Sequence, residues 1–358
     1  MNIDQANLTA EQRVVAIQRL TALWAFSESG LGGIMHALQI PFTGLLVGGM
    51  SVIMISFIAQ ISAGQYKEIL KSALIVLIIK AMVSPHTPFP AYVAVSFQAL
   101  SGFALFSLLR VNFVSILLLS VLSMLESAVQ QLLILTLFLG QSFWKAADTF
   151  VAFVSKQFGR TATNGSQWII GSYLLIYILG GIFVAWIGWK TLRGFAEGKF
   201  NEGRTDEVLS TSILPTNDRT KKNTSLTFWL VPALLVALSV VMFFVAADAK
   251  TGWIAVAKTI SWTLSVIMLW YMFINPLLIK LIKSFLQKKQ GRYSEEISRT
   301  LSFLPVLRQL TALAWRKSKL QKRSRRWHIF LSELIHTSLT YNEDASKALT
   351  EPSFKKTA

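Results

Sequence analysis

Cysteine is absent from this chain, which excludes a disulfide framework and any thiolate metal site. Charge is scarce: 15% of the 358 residues are Asp, Glu, Lys or Arg, where a soluble domain carries about 25%. With 53% hydrophobic residues and a mean hydropathy of +0.50, that scarcity excludes an ordinary water-soluble globule. Histidine occurs only at positions 36, 86, 328 and 336, with no His/Asp/Glu cluster at ligand spacing, so no metal centre is expected. The phosphate loop G-x-x-x-x-G-K-[ST] is missing, as are H-E-x-x-H and G-x-S-x-G. The chain is therefore expected to be no enzyme, to use no cofactor and to hydrolyse no ATP by itself. The polar start MNIDQANLTAEQR lacks a basic region followed by an apolar one, so no cleavable signal peptide is expected.

What the chain does have is long apolar runs. Residues 41 to 140 are almost continuously hydrophobic, and a helix needs about 20 such residues to cross a ~30 Å hydrocarbon core. The runs are continuous and do not alternate, which selects helices over a closed barrel. The fold class expected is an all-α polytopic membrane bundle of about eight spans. They are placed near residues 14–40, 42–62, 68–83, 91–109, 111–140, 168–189, 226–247 and 253–279. Thr9 with Gln12 forms a capping box for the first. Pro85, Pro88 and Pro90 interrupt the chain between the third and fourth, predicting a rigid loop or re-entrant segment. Residues 141–160 place Phe143, Ala147, Phe150, Val151 and Val154 on one face, as in an amphipathic helix at the interface.

Organisation follows composition. Residues 1–195 form a six-helix membrane unit, 196–225 a polar linker, 226–283 two further spans, and 284–358 a basic helical tail. The net charge of +17 is concentrated there: fourteen Lys or Arg and only Glu295 and Glu296 lie between Lys280 and Arg326. In a membrane protein such clusters mark cytoplasmic segments, not nucleic-acid binding. Both termini are thus expected on the cytoplasmic side of the inner (plasma) membrane. The tail carries two apolar stripes: Phe303, Leu307, Leu310, Ala314, and Phe330, Leu331, Leu334, Ile335, Leu339. A stripe beside a dense cationic face calls for a soluble partner through residues 290–340 or for anionic membrane lipid.

Polar groups inside the apolar runs are the candidate functional residues, because ionisable groups in a bilayer face a cavity, a partner or a site. Glu28, Gly32 and His36 recur every four residues on one helical face, with Gln39 a turn further. Ser123, Glu126, Ser127 and Gln130 stripe the fifth span, and Lys80 is expected to pair with Glu126. Gln98 lies in the fourth span and His86 in the proline loop. The substrate-binding set is therefore Glu28, His36, Gln39, His86, Gln98, Glu126 and Gln130. Each has a packing alternative, in which such residues hydrogen-bond between helices as glue.

Three stretches carry a family resemblance: Ile40-Pro41-Phe42-Thr43-Gly44, the loop Ser84 to Pro90, and Ala91-Tyr92-Val93-Ala94-Val95 leading to Gln98, Gly102 and Phe106. With six spans in one unit they resemble the substrate-binding S-component of energy-coupling-factor transporters. Leu301-Ser302-Phe303-Leu304-Pro305-Val306-Leu307-Arg308 and Ala312-Leu313-Ala314-Trp315-Arg316 are similar to the coupling T-component, which docks two ATPase subunits, although its Ala-Arg-Gly signature is missing. The resemblance implies a small-solute binding unit joined to an ATPase-coupling part; none of the family's binding residues is carried over. Three functional readings stand at this point. The first is a small-solute permease or substrate-binding component, with a cavity lined by the first, fourth and fifth spans and a gate near residues 84–90. The second is a membrane scaffold recruiting a soluble complex without transport. The third is an enzyme acting on lipid-linked substrates, for which Glu28 with His36 is the one candidate pair.

Overall fold

A computed structural model describes residues 9–32, 43–84, 87–159, 164–196, 249–320 and 326–341. Among these, all regular structure is helical. The elements are α1 (Ala10–Phe26, continued by a π-helical turn Ser27–Leu31), α2 (Thr43–Ile61), α3 (Lys67–Val83), α4 (Phe89–Leu109), α5 (Phe113–Gln157) and α6 (Gly165–Ala196). They are followed by α7 (Ala249–Leu269), a π turn Trp270–Ile274, α8 (Asn275–Gln290), α9 (Ser294–Lys319) and α10 (Arg326–Thr340).

Five stretches are long and apolar enough to cross a membrane: Gly44–Ile61, Phe89–Leu109, Phe113–Gln157, Gly165–Ala196 and one within Ile260–Lys319. This set fits a membrane protein of several passes. α3 has 17 residues with Lys at 67, 71 and 80, and α1 carries Arg13, Arg19 and Glu28, so neither joins that set. The span expected at 226–247 lies outside the described residues.

Local chemistry sets the helix limits. Thr9 caps α1 as its sequence predicts: its Oγ1 accepts from Gln12 N, and Gln12 Oε1 accepts from Thr9 N. Asn112 does the same for α5 with Ser115. α4 stops where Arg110 takes a positive φ of 56°, a conformation that L-residues adopt only at turns. Within α5 the backbone leaves helical geometry at Gly140 (φ 68°, ψ −167°), so the fifth span and the amphipathic segment are two helices meeting at a kink, at the boundary expected. A side chain at 140 would meet the Trp262 ring within 3.3 Å, so glycine also lets α7 lie against the bend.

Side-chain contacts fix helix direction. Thr21 meets Ser72 and Glu28 meets Lys80, so α1 and α3 run parallel. On α2 and α6, Leu45, Gly49 and Ile53 face Gly180, Val184 and Gly188 in that order, another parallel pair. A Cβ on Gly180 would lie 2.5 Å from Leu45 Cδ1, and one on Gly49 2.9 Å from Val184 Cγ2. Close approach through small residues every four positions is how helices associate where lipid removes the hydrophobic drive. α4 and α5 are antiparallel: Gly102 sits against Leu119, and the Pro90 carbonyl accepts from Gln130 Nε2. α2 is the central helix, with 72% of its apolar window buried, against 39% or less for the other four spans.

The tail docks on this bundle. Leu307, Leu310 and Ala314 of α9 and Phe330, Leu331, Leu334, Ile335 and Leu339 of α10 are buried in the same core cluster as α1 and α2, and Phe303 packs against it. The two stripes expected to need an outside partner are covered by each other and by α1. Arg19 completes the joint, donating from Nη1 to the carbonyls of Leu339 (2.7 Å) and Ser338 (3.5 Å) and lying 5.9 Å over the Phe303 ring.

Candidate functional site

The deepest polar contact is built on a disturbed helix. At the end of α1 the backbone widens into a π turn, Ser27–Leu31, a form found often at functional sites. It presents Glu28 to α2 and α3. Lys80 Nζ donates to Glu28 Oε2 at 2.6 Å, and Ser51 Oγ donates to Glu28 Oε1 at 2.6 Å. The Lys80 and Glu28 side chains are 6% and 5% exposed. The expected pairing of Lys80 with Glu126 is therefore corrected. Sequence distance along the fifth span gave no way to see that α1 lies parallel to α3 and brings its own carboxylate to the same height.

Depth follows from helix rise. Arg19 and Lys71 both touch the tail, at Leu339 and Glu296. Glu28 and Lys80 each lie nine residues further along their helices, about 14 Å on at the usual rise. The pair therefore sits well inside the bundle, away from the tail.

A second polar group lies across α2, three residues before Ser51. A Cβ on Gly48 would be 3.2 Å from Gln98 Nε2 and 3.6 Å from Met124 Cε, so α2 meets α4 and α5 there. The antiparallel register that sets 102 against 119 and 90 against 130 also sets Gln98 against Ser123. Leu119, Ser123, Glu126 and Gln130 share the α5 face turned to α4. Gln98 is 2% exposed and Ser123 0%. Gln98 Oε1, Ser123 Oγ and Glu126 Oε2 are buried oxygens without a hydrogen-bond partner among the described residues. Glu126 Oε1 accepts only a long bond from Gln130 Nε2, 3.3 Å. Buried polar atoms are ordinarily satisfied, so three orphans in one seam call for an explanation.

The structure thus splits the expected residues. Glu28 joins Lys80 and Ser51; Gln98, Glu126 and Gln130 gather with Ser123 between α4 and α5. His36, Gln39 and His86 lie outside the described residues. Ser51 and Ser123 were missed as members of the two groups. Ser123 had a signal, its place in the α5 polar stripe; Ser51 had none, being one serine in an apolar run.

Elsewhere among the described residues, Val151, Gly165, Trp168, Ile169, Ser172, Tyr173 and Ile176 line an open apolar hollow of about 400 Å³ at the far ends of α5 and α6. It shares no lining residue with either polar group. No three His, Asp or Glu come together as metal ligands among the described residues. Comparison with protein-family models, with curated proteins and with solved structures gives no match.

Proposed function

We propose that the chain is a multi-pass transport protein of the inner membrane that carries a small solute, with α1–α6 as its solute-handling unit. The observation that supports this most is the seam of α2, α4 and α5, where Gln98, Ser123 and Glu126 hold hydrogen-bonding capacity that nothing among the described residues uses. A protein that merely packs helices with polar glue would satisfy these groups. Glu28 has a different part in this reading. Both its oxygens are taken, so it holds the bundle together and leaves solute contact to Gln98, Glu126 and Gln130. The resemblance to an energy-coupling-factor S-component, the eight-span count and the cytoplasmic placement of both termini belong to the same proposal. So does a soluble partner such as an ATPase: Arg292, Arg299, Arg308, Arg316 and Lys319 remain exposed on the docked tail.

Uptake into proteoliposomes, with the solute first sought by mass spectrometry of the purified protein, tests the reading. Glu126→Gln and Gln98→Leu should each abolish transport, while Lys71→Ala should leave it intact. No copurifying solute and unchanged uptake in both variants would overturn it. One observation favours a scaffold instead: the Glu28–Lys80–Ser51 contact is buried with both glutamate oxygens bonded, as in a purely structural core. In that case truncation of residues 290–358 removes function while the seam variants lower only expression.

A further inference from the structure

We infer that the α2–α4–α5 seam is a binding site for a small monovalent metal cation of the sodium type, ligated by Gln98 Oε1, Ser123 Oγ and Glu126 Oε2. The inference rests on reading this seam as the solute-handling site and names the ion that would sit there.

Four observations lead to it. The orphaned atoms are an amide oxygen, a hydroxyl oxygen and a carboxylate oxygen, a hard set that suits alkali and alkaline-earth cations and not softer transition metals. Among the described residues the seam holds one carboxylate, which balances a single positive charge; calcium sites gather several. Among the described residues no cation pairs with Glu126, Lys80 being committed to Glu28 at 2.6 Å, and an unpaired carboxylate in an apolar bundle is costly. The seam is also narrow. Gln98 and Ser123 are fully buried, and a Cβ on Gly48 or Gly44 would lie 3.2 Å from Gln98 Nε2 or 3.4 Å from Ser127 Cβ. A bare ion fits such a place better than an organic amine. Ions that drive transport are commonly held midway along packed helices, and Gln98 lies near the middle of α4 with Ser123 opposite it.

The test is thermal melting of the purified full-length protein in nanodiscs, at constant ionic strength, in sodium chloride against N-methyl-D-glucamine chloride. At about tenfold excess over its dissociation constant, sodium should raise Tm by roughly 2–4 °C. Glu126→Gln and Gln98→Leu should lose that shift, Ser123→Ala should move it to higher concentration, and Lys71→Ala should keep it. Should the seam variants fail to fold, radioactive sodium binding to the wild-type protein, displaced by unlabelled sodium but not by N-methyl-D-glucamine, decides the matter. Equal melting in the two salts, or a sodium shift unchanged in Glu126→Gln and Gln98→Leu, overturns the inference. A stabilisation produced wholly by lowering pH, with no added effect of sodium, also overturns it and assigns the seam to a proton. Sodium binding without any solute uptake would leave the inference standing and remove the transport reading; uptake independent of sodium, with no shift, does the reverse.

Discussion

Helix α3 carries two lysines nine residues apart, and each meets a glutamate from elsewhere in the chain. Lys80 and Glu28 are 2.6 Å apart with side chains 6% and 5% exposed. Lys71 and Glu296 are 3.2 Å apart with side chains 37% and 25% exposed. The chemistry is the same and the surroundings are not. The inner pair joins α1 to α3, with Ser51 of α2 completing the glutamate, in a medium where the charges cannot be solvated. The outer pair pins the tail to the bundle in reach of water and salt. One helix therefore carries both a contact that the bundle depends on and one that it barely notices, and depth alone separates them.

The largest way to break this comparison is at the inner pair. Lys80→Ala should cost about 3–5 kcal/mol, because it leaves Glu28 charged, buried and held only by Ser51. Detergent-solubilised protein should lose monodispersity and melt at a far lower temperature. Replacing both partners, as Glu28→Leu with Lys80→Met, should recover most of that loss, since a packed apolar pair of similar volume is often as stable as a buried ion pair. A double variant as unstable as the single one would mean that the charges serve something besides packing.

Next in size is the tail joint. Arg19→Met removes the charged donor to the Leu339 and Ser338 carbonyls and the contact with Phe303. Charge-assisted bonds of this kind contribute about 1.5–3 kcal/mol. Hydrogen exchange across residues 326–341 should speed up accordingly while exchange in α2 stays slow. Equal acceleration in both would show that the tail and bundle open as one unit and that the inner and outer contacts are not independent.

These contacts mark how far the sequence could be read. The apolar runs placed α2, α3 and α4 and the starts of α5 and α6 within a few residues, because lipid demands length and continuity that no other setting does. The Thr9–Gln12 cap was visible because it is local, as were the two stripes of the tail. The partner of each stripe was not, since α1 looked like one more span and nothing in its own pattern says that Arg19 reaches the end of α10. The site was legible in kind and not in pairing: Glu28, Lys80, Gln98 and Glu126 all stood out as costly residues in an apolar stretch. Which of them meet depends on the parallel course of α1 and α3 and the α4–α5 register, both set by contacts far apart in sequence. Gly48 and Ser51, which bring the two groups to adjacent turns of α2, carry no charge and gave no signal.

The smallest expected effect is at the outer pair, and it is there that pH should tell the two lysines apart. Partial burial pushes the Glu296 carboxyl up, but its own backbone N–H, Lys71 and Arg299 outweigh that and hold it below the ordinary value of 4.5. A folded-state value below the unfolded one means that the unfolded chain binds the proton first as acid is added. The contribution of the pair is therefore complete above pH 4.5 and is lost as pH falls through the lowered folded value. Tail docking, followed by protease cleavage between α9 and α10, should weaken over that window and weaken less steeply in Lys71→Ala. At neutral pH the same substitution should cost less than ~1 kcal/mol and shrink further as salt rises. A Lys71→Ala loss as large as that of Lys80→Ala, or one indifferent to salt, would place the outer pair in the same dry surroundings as the inner and end the distinction.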